Sequence, residues 1–115
     1  VECAFNKLRV GLLLKSQLYA HNFTSVSDPF CKCGLPQTPS HFILKCPLLV
    51  NERETLFAGL RTSDLHLLVQ SLNTVDKIQF LLYGHENLDN SLNEKLIELM
   101  SHFVNQSLSQ IDRFG

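Results

Sequence analysis

The sequence predicts an all-α fold of five or six short helices, with a loop near its N-terminal third pinned by cysteine and histidine side chains. Three observations support this fold class. Apolar residues recur at helical spacing along most of the 115 residues. No segment alternates apolar and polar residues for long enough to indicate a strand. Three cysteines and one histidine fall within sixteen residues, between the first predicted helix and the next ones.

Size and composition indicate one folded unit. A chain of 115 residues has the usual length of a single domain, and 44% hydrophobic residues argue against disorder. We expect one domain over residues 1–115, with a leading helix and a cysteine-rich knuckle in 1–50 and a helical tail in 51–115. No apolar run is long enough to span a membrane, and the N-terminus is not a signal peptide. A start at valine rather than methionine indicates a fragment or an excised domain.

The first predicted helix runs from residue 2 to about residue 20. Gly11 lies in its middle, where glycine costs about 1 kcal/mol relative to alanine. We expect the close approach of another backbone to explain that glycine. Residues 22–39 follow as a loop, because serine, threonine, Asp-Pro and Gly-Leu-Pro interrupt the helical pattern. The apolar stripe of the helix comprises Phe5, Leu8, Leu12 and the neighbouring Val10, Leu13 and Leu14.

A short helix is predicted over residues 41–45, with Ser40 as its cap. It must end near Cys46. In a regular helix His41 and Cys46, five residues apart, would lie about 140° apart and could not face the same side. Pro47 supplies the break and is well placed as the first residue of the next helix.

Four longer helices are predicted in the second half. In the first of them we expect Arg53 to face outward with its polar neighbours. Thr74 is expected to cap the third helix and Gly84 to end it. Asp89 or Asn90 caps the last one. The expected ranges are about 47–60, 63–72, 75–83 and 90–111.

Cys31, Cys33, His41 and Cys46 form the pattern Cys-x-Cys-x7-His-x4-Cys. Three thiolates and one imidazole are a complete tetrahedral ligand set for zinc. Because all four positions are filled by protein, no site is left for a catalytic water, and we expect one structural zinc ion. The sequence shows no nucleophile–base pair, phosphate loop or paired acidic motif. It therefore predicts no enzymatic activity and no small-molecule substrate.

Two disulfide bonds in a secreted protein are the alternative for the four cysteines. The sequons Asn22-Phe23-Thr24 and Asn105-Gln106-Ser107 would suit that alternative. Against it, Cys31 and Cys33 are too close to pair comfortably, and a histidine between thiols has no role in a disulfide framework. The spacing favours the metal. The alternative would require a chain without metal and without free thiols.

Charge is distributed unevenly along the chain. The net charge is −1, but residues 1–50 carry five basic and two acidic groups, whereas residues 51–115 carry five and nine. The metal-bearing half is therefore mildly basic, which hints at a nucleic-acid face but falls short of a basic stripe. The candidate nucleic-acid contacts are Lys7, Arg9, Lys15, Lys32 and Lys45.

The residues around the ligands allow two interpretations. Phe30, Lys32, Leu35, Phe42 and Lys45 could contact single-stranded nucleic acid, which apolar side chains and nearby lysines commonly bind. Alternatively, Phe30 and Phe42 pack the metal site against the helices and the lysines are simply solvated. The sequence leaves both interpretations open.

A longer pattern of residues surrounds the four ligands. It comprises Phe5-Asn6-Lys7-Leu8-Arg9-Val10-Gly11, Leu18, His21-Asn22-Phe23, Cys31-x-Cys33-Gly34, Thr38-x-x-His41-Phe42-x-Leu44-x-Cys46-Pro47 and Asn51-Glu52-Arg53. This pattern resembles the C-terminal segment of non-LTR retrotransposon reverse transcriptases. In that family a helix bearing Leu-Arg-x-Gly leads into a Cys/His zinc knuckle, followed by Cys-Pro and an arginine-bearing helix. The Cys-x-Cys pair is one residue shorter than that of many members, whereas the His-x4-Cys half matches.

The resemblance implies a specific context. In the family this segment follows the polymerase thumb and carries a knuckle associated with binding element RNA or target DNA during target-primed reverse transcription. The ligand roles carry over to the four residues named above, and Lys7 and Arg9 match the basic part of the leading helix. The expected partners are RNA or DNA and the polymerase domains of a parent polypeptide, in the nucleus or cytoplasm and without a membrane. The alternative is a zinc-stabilised helical module that binds protein and has no direct nucleic-acid contact.

Overall fold

The computed structural model describes residues 3–11, 13–20, 28, 30–63, 65–84 and 88–113, and within these ranges the chain is helical with no β-strand. The predicted all-α class is confirmed. A π-helical turn (His41–Lys45) and a 3-10 turn (Pro47–Leu49) precede the longer helices of the second half. No helix in these ranges is both long and apolar enough to cross a bilayer. In the described part of the chain the α-helices are α1 (Cys3–Arg9), α2 (Lys15–Ala20), α3 (Val50–Thr62), α4 (His66–Gln70), α5 (Thr74–Tyr83) and α6 (Asn90–Arg113).

The long helix α6 forms the centre of the fold. Helices α1, α3 and α5 and the 3-10 turn all pack against it. Fully burying one large apolar side chain contributes about 1.5–3 kcal/mol, so this set of contacts is a substantial source of stability. The core runs without interruption from the first helix to the last. Its largest fully buried side chains include Phe5, Leu8, Leu14, Phe42, Ile43, Leu49, Leu56, Leu60, Leu65, Leu81, Leu96 and Phe103.

The N-terminal segment is two helices rather than the one that the sequence predicts. The chain breaks at Gly11, whose φ of 82° lies in the left-handed region that favours glycine. No atom lies within 4 Å of a Cβ placed there, so the expected close approach of another backbone is wrong. α2 begins after the break, where the Gln17 side chain accepts hydrogen bonds from the N–H groups of Leu13 and Leu14. Leu12 of the predicted apolar stripe lies outside the described residues.

The later helices begin close to the predicted positions. α5 starts at Thr74 because the side chain of Asn73, rather than Thr74 itself, accepts the N–H of Asp76 at 2.8 Å. Asp89 caps α6, as predicted, by accepting the N–H of Leu92 at 2.9 Å. The prediction over 63–72 was too long, since α4 covers only five residues.

One long-range contact fastens α1 to the end of α5. The Tyr83 hydroxyl donates a hydrogen bond of 2.6 Å to the carbonyl oxygen of Arg9. The Arg9 guanidinium lies 5.4 Å from the centre of the Phe5 ring and 5.6 Å from that of the Tyr83 ring. A cation over an aromatic face is attracted by the ring quadrupole. The basic side chain thus helps to hold the N-terminal helix on the helical tail.

Candidate metal centre

The four residues of the Cys-x-Cys-x7-His-x4-Cys pattern come together in the fold. One ligand atom from each of Cys31, Cys33, His41 and Cys46 lies within 4.8 Å of all the others. The Cys31 and Cys46 sulfurs are 3.7 Å apart, and the Cys33 sulfur is 3.0 Å from His41 Nε2. Two sulfurs on one tetrahedral zinc ion would be about 3.8 Å apart, given a bond of roughly 2.3 Å. The cluster could therefore hold one metal ion.

A tight turn presents the first two sulfurs. The backbone N–H of Cys31 donates to Leu35 O at 2.7 Å, and that of Gly34 donates to Cys31 O at 2.9 Å. An isolated antiparallel bridge between Phe30 and Pro36 closes the base of the turn. Gly34 has a φ of 99°, in the left-handed region that glycine adopts without strain, and so allows the chain to turn sharply after Cys33. These hydrogen bonds fix the backbone of the turn that carries Cys31 and Cys33.

A π-helical turn presents the other two ligands. The N–H of Cys46 donates to His41 O at 2.7 Å, five residues back. This wider turn brings His41 and Cys46 to the same cluster, which a regular α-helix could not do. The predicted end of the helix at Cys46 is confirmed, since this residue has extended backbone angles and Pro47 follows it. The predicted cap is wrong: Ser40 makes no cap hydrogen bond, and Thr38 Oγ1 accepts the N–H of His41.

Arg53 supports the π-helical turn from the neighbouring helix. Its Nε donates to Ile43 O and its Nη2 to Cys46 O, each at 2.9 Å. These are charged hydrogen bonds to carbonyls near the end of a helical turn, where few intrahelical donors remain. The expectation that Arg53 faces outward is therefore wrong, and its role was missed. The sequence signals for it are its position seven residues after the last cysteine and its place in the Asn51-Glu52-Arg53 part of the resemblance, and neither predicts a contact with the π-helical turn.

The pKa values of the Cys31 and Cys46 thiols are shifted in opposite directions. Burial acts to raise the pKa of Cys31, but hydrogen bonds from the Cys33 backbone N–H and from neighbouring side chains hold that pKa below its usual value. Burial, together with the nearby Cys31 and Cys33 sulfurs, raises the pKa of Cys46 to about 12, despite a backbone hydrogen bond from Leu48. Crowded sulfurs resist becoming charged together. A divalent cation among them would remove that resistance, because a coordinated thiol loses its proton.

His41 is suited to be a neutral ligand. Burial, followed by the positive charges of Arg53 and Lys45, lowers the pKa of its imidazole. A histidine binds metal through the neutral ring, so this environment favours the binding form at neutral pH. Cys31, His41 and Cys46 are buried and Cys33 is half-buried. A tetrahedral ion held by these four side chains would have no open position, as in structural sites.

The five candidate nucleic-acid contacts are placed differently. Lys32, between the first two ligands, and Lys45, in the π-helical turn, are exposed beside the cluster. Lys7 is exposed on α1. Arg9 is half-buried, with its guanidinium between two aromatic rings. The side chain of Lys15 lies outside the described residues. The structure thus places two of the five cations next to the candidate metal centre.

No protein-family model, no curated protein and no solved structure matches this chain. The resemblance to reverse transcriptase C-terminal segments stays a prediction from the motif. What the fold adds is the geometry: four side chains chosen from sequence spacing meet in one buried cluster.

Proposed function

We propose that this chain is a zinc-stabilised helical domain of the type found at the C-terminal end of non-LTR retrotransposon reverse transcriptases. In that role it assists RNA or DNA binding during target-primed reverse transcription. The observation that carries the proposal is the gathering of Cys31, Cys33, His41 and Cys46 into a closed cluster. These are the residues that the resemblance assigns as the ligands of a zinc knuckle.

The donor set favours zinc among the common metals. Three thiolates and one imidazole are soft and borderline ligands, which suit zinc and not calcium or magnesium. Binding of zinc by small domains of this kind provides about 10–16 kcal/mol at neutral pH. That is comparable to or larger than the net stability of a typical domain, about 5–15 kcal/mol. Zinc would therefore act on the fold rather than on a substrate.

The basic side chains beside the cluster support a nucleic-acid role. Lys32 and Lys45 are exposed and have no acidic partner within salt-bridge distance among the described residues. Asp28 is the one acidic residue between positions 28 and 46. The chain carries no polymerase motif, so the reaction itself belongs to the parent polypeptide that the resemblance implies. In this proposal the domain contacts the RNA or DNA and helps to position it.

Metal binding is tested by native mass spectrometry of the reduced chain. We expect one zinc ion per chain, lost in Cys46→Ser. The matched control is Cys3→Ser, which removes a thiol outside the ligand pattern and should keep the ion. A chain without metal and four hydrogens lighter after purification in air would mean two disulfides and would overturn the proposal.

Nucleic-acid binding is tested by fluorescence anisotropy with a short labelled RNA at salt below about 50 mM, where phosphate contacts are strongest. The double variant Lys32→Ala, Lys45→Ala should bind more weakly and with a shallower salt dependence. The charge-matched control is Arg61→Ala, Lys77→Ala, which removes two cations from α3 and α5. Arg9 is left intact because its guanidinium packs on two rings.

A second candidate function is protein binding. Large apolar side chains are exposed on α4 and at the start of α5, where Leu67 is 62% and Val75 is 71% exposed. These helices belong to the acidic half of the chain, which is unsuited to phosphate contact. Absence of RNA binding even at low salt, in a chain that holds zinc, would favour this function over the first.

A further inference from the structure

Two apolar side chains stand exposed on the turn that holds the first two ligands. Phe30 is 46% exposed and Leu35 is 56% exposed, whereas Phe42 on the π-helical turn is fully buried. Phe42 packs edge-on against Phe103 of α6, with ring centres 5.7 Å apart. Of the two interpretations left open by the sequence, the one in which the side chain packs against the helices therefore applies to Phe42. It does not account for the exposure of Phe30 and Leu35.

The turn that carries this pair is held by backbone hydrogen bonds. Phe30 and Leu35 lie on its two arms, which the bridge from Phe30 to Pro36 and the bond from Cys31 N–H to Leu35 O join. Asp28 accepts the N–H of Phe30 at 2.9 Å and fixes the start of the first arm. Neither side chain is needed for these bonds. The exposed surface of the pair is thus presented by a backbone that the candidate metal centre also anchors.

The charge around the pair limits what can bind there. Lys32 lies between the two arms and Lys45 follows in the π-helical turn, against the single carboxylate of Asp28. Two lysines would give a single strand a salt slope of only about −1.4. A ligand attracted so weakly through its phosphates must gain most of its affinity elsewhere. Stacking of unpaired bases on an aromatic ring supplies such affinity and is possible only where bases are not paired.

We propose that Phe30 is a stacking contact for the unpaired bases of single-stranded nucleic acid, with Lys32 reaching the adjacent phosphate. This inference rests on the proposed function and names its ligand class and its contact residues. It makes base stacking, rather than net charge, the larger source of affinity.

The test compares variants of the zinc-loaded chain by anisotropy with a labelled single-stranded RNA and with the same sequence as a duplex. Phe30→Ala should weaken binding to the single strand by about 5- to 150-fold, the range for losing one stacked base. Phe30→Trp should restore it. Leu67→Ala is the control, since it removes an apolar side chain of α4 that is even more exposed, at 62% against 46% for Phe30. Zinc content and far-ultraviolet circular dichroism should be the same in all variants.

The outcomes separate the two proposals. If the single strand binds but Phe30→Ala is no weaker than Leu67→Ala, or if the duplex binds as tightly, the surface is not a base-contact site and the proposed function stands without it. If the zinc-loaded wild-type chain binds no nucleic acid at low salt, the proposed function fails and this inference fails with it. Weakened binding by Phe30→Ala, rescued by tryptophan, supports both.

Discussion

The knuckle, residues 30–46, and the pair of helices α3 and α6 are built on different physical rules. In α3 and α6 apolar side chains recur at helical spacing and fill a shared core, so many small contributions add up. The knuckle has one tight turn and one π-helical turn, held by a few backbone hydrogen bonds around four clustered cysteine and histidine side chains. A region of the second kind is specified by few residues. Each of them therefore matters more.

The largest expected effect is the loss of metal. With zinc in the cluster as proposed, chelation of the ion or Cys46→Ser should destabilise the chain by several kcal/mol, bounded by the roughly 10–16 kcal/mol of zinc binding. Hydrogen exchange measured by mass spectrometry should show the loss of protection first in residues 30–46 and later in α6. Equal acceleration throughout the chain would mean that the two regions are not energetically distinct.

Removal of a core side chain should have the opposite effect: it should destabilise the packing of α3 and α6 and leave metal binding by the knuckle unchanged. Leu60 is fully buried on α3, and Leu60→Ala should lower the free energy of unfolding by about 2–5 kcal/mol through lost burial and a cavity. The proposed zinc stoichiometry of one per chain should be unchanged by mass spectrometry. The control Leu67→Ala, at an exposed position, should change stability by less than about 0.5 kcal/mol. Loss of zinc in Leu60→Ala would show that the knuckle depends on the core.

Arg53 connects the two regions, and its replacement should give an intermediate effect. Arg53→Gln removes the charged donor to Ile43 O and Cys46 O while α3 itself stays apolar on its core side. Groups that orient metal ligands typically contribute 10- to 100-fold in metal affinity. We expect Arg53→Gln to lose this much metal affinity, measured by competition with a fluorescent chelator. The affinity of Arg53→Lys should lie between those of the wild type and Arg53→Gln.

The matched control for this substitution is Arg61→Gln, which removes an exposed arginine from the last turn of the same helix. Its metal affinity should equal that of the wild type. An equal loss in both variants would assign the effect to net charge rather than to the two hydrogen bonds.

The smallest effect is expected at Gly11, where helical spacing fails to predict the fold. Gly11→Ala should lower stability by about 1 kcal/mol, because a φ of 82° is strained for any residue with a Cβ. Gly11→Asn should cost less, since asparagine tolerates this conformation. Thermal unfolding of the zinc-loaded chain measures both. A gain in stability for alanine would mean that α1 and α2 join into the single helix that the sequence predicts.

The sequence predicted the clustering of Cys31, Cys33, His41 and Cys46 and several helix ends because both are encoded by residue type at short range. Asp89 and Gly84 have conformational preferences that act within one turn, and both lie where predicted. The cluster was predicted because few other roles suit three cysteines and a histidine at that spacing.

The features that sequence reasoning missed depend on neighbours that are distant along the chain or on a rare helix type. Gly11 fits the middle of a helix as well as its end, so the pattern around it does not locate the break. The π-helical turn has no signature beyond the five-residue separation of His41 and Cys46. Arg53 is polar within a polar stretch, and only the approach of the knuckle to α3 turns it inward. These features depend on how the helices and turns pack against one another.

The position of α1 sets an order of events during synthesis of the chain. The four candidate ligands lie within sixteen residues of one another, so they can meet before most of the helical tail has been made. Helix α1 packs against α6 and is tied to Tyr83, 74 residues further along than Arg9. Contacts between such distant residues form slowly because a long loop must close first. Among the described helices, α1 is therefore made before its partners α5 and α6 and is one of the last to reach its final contacts.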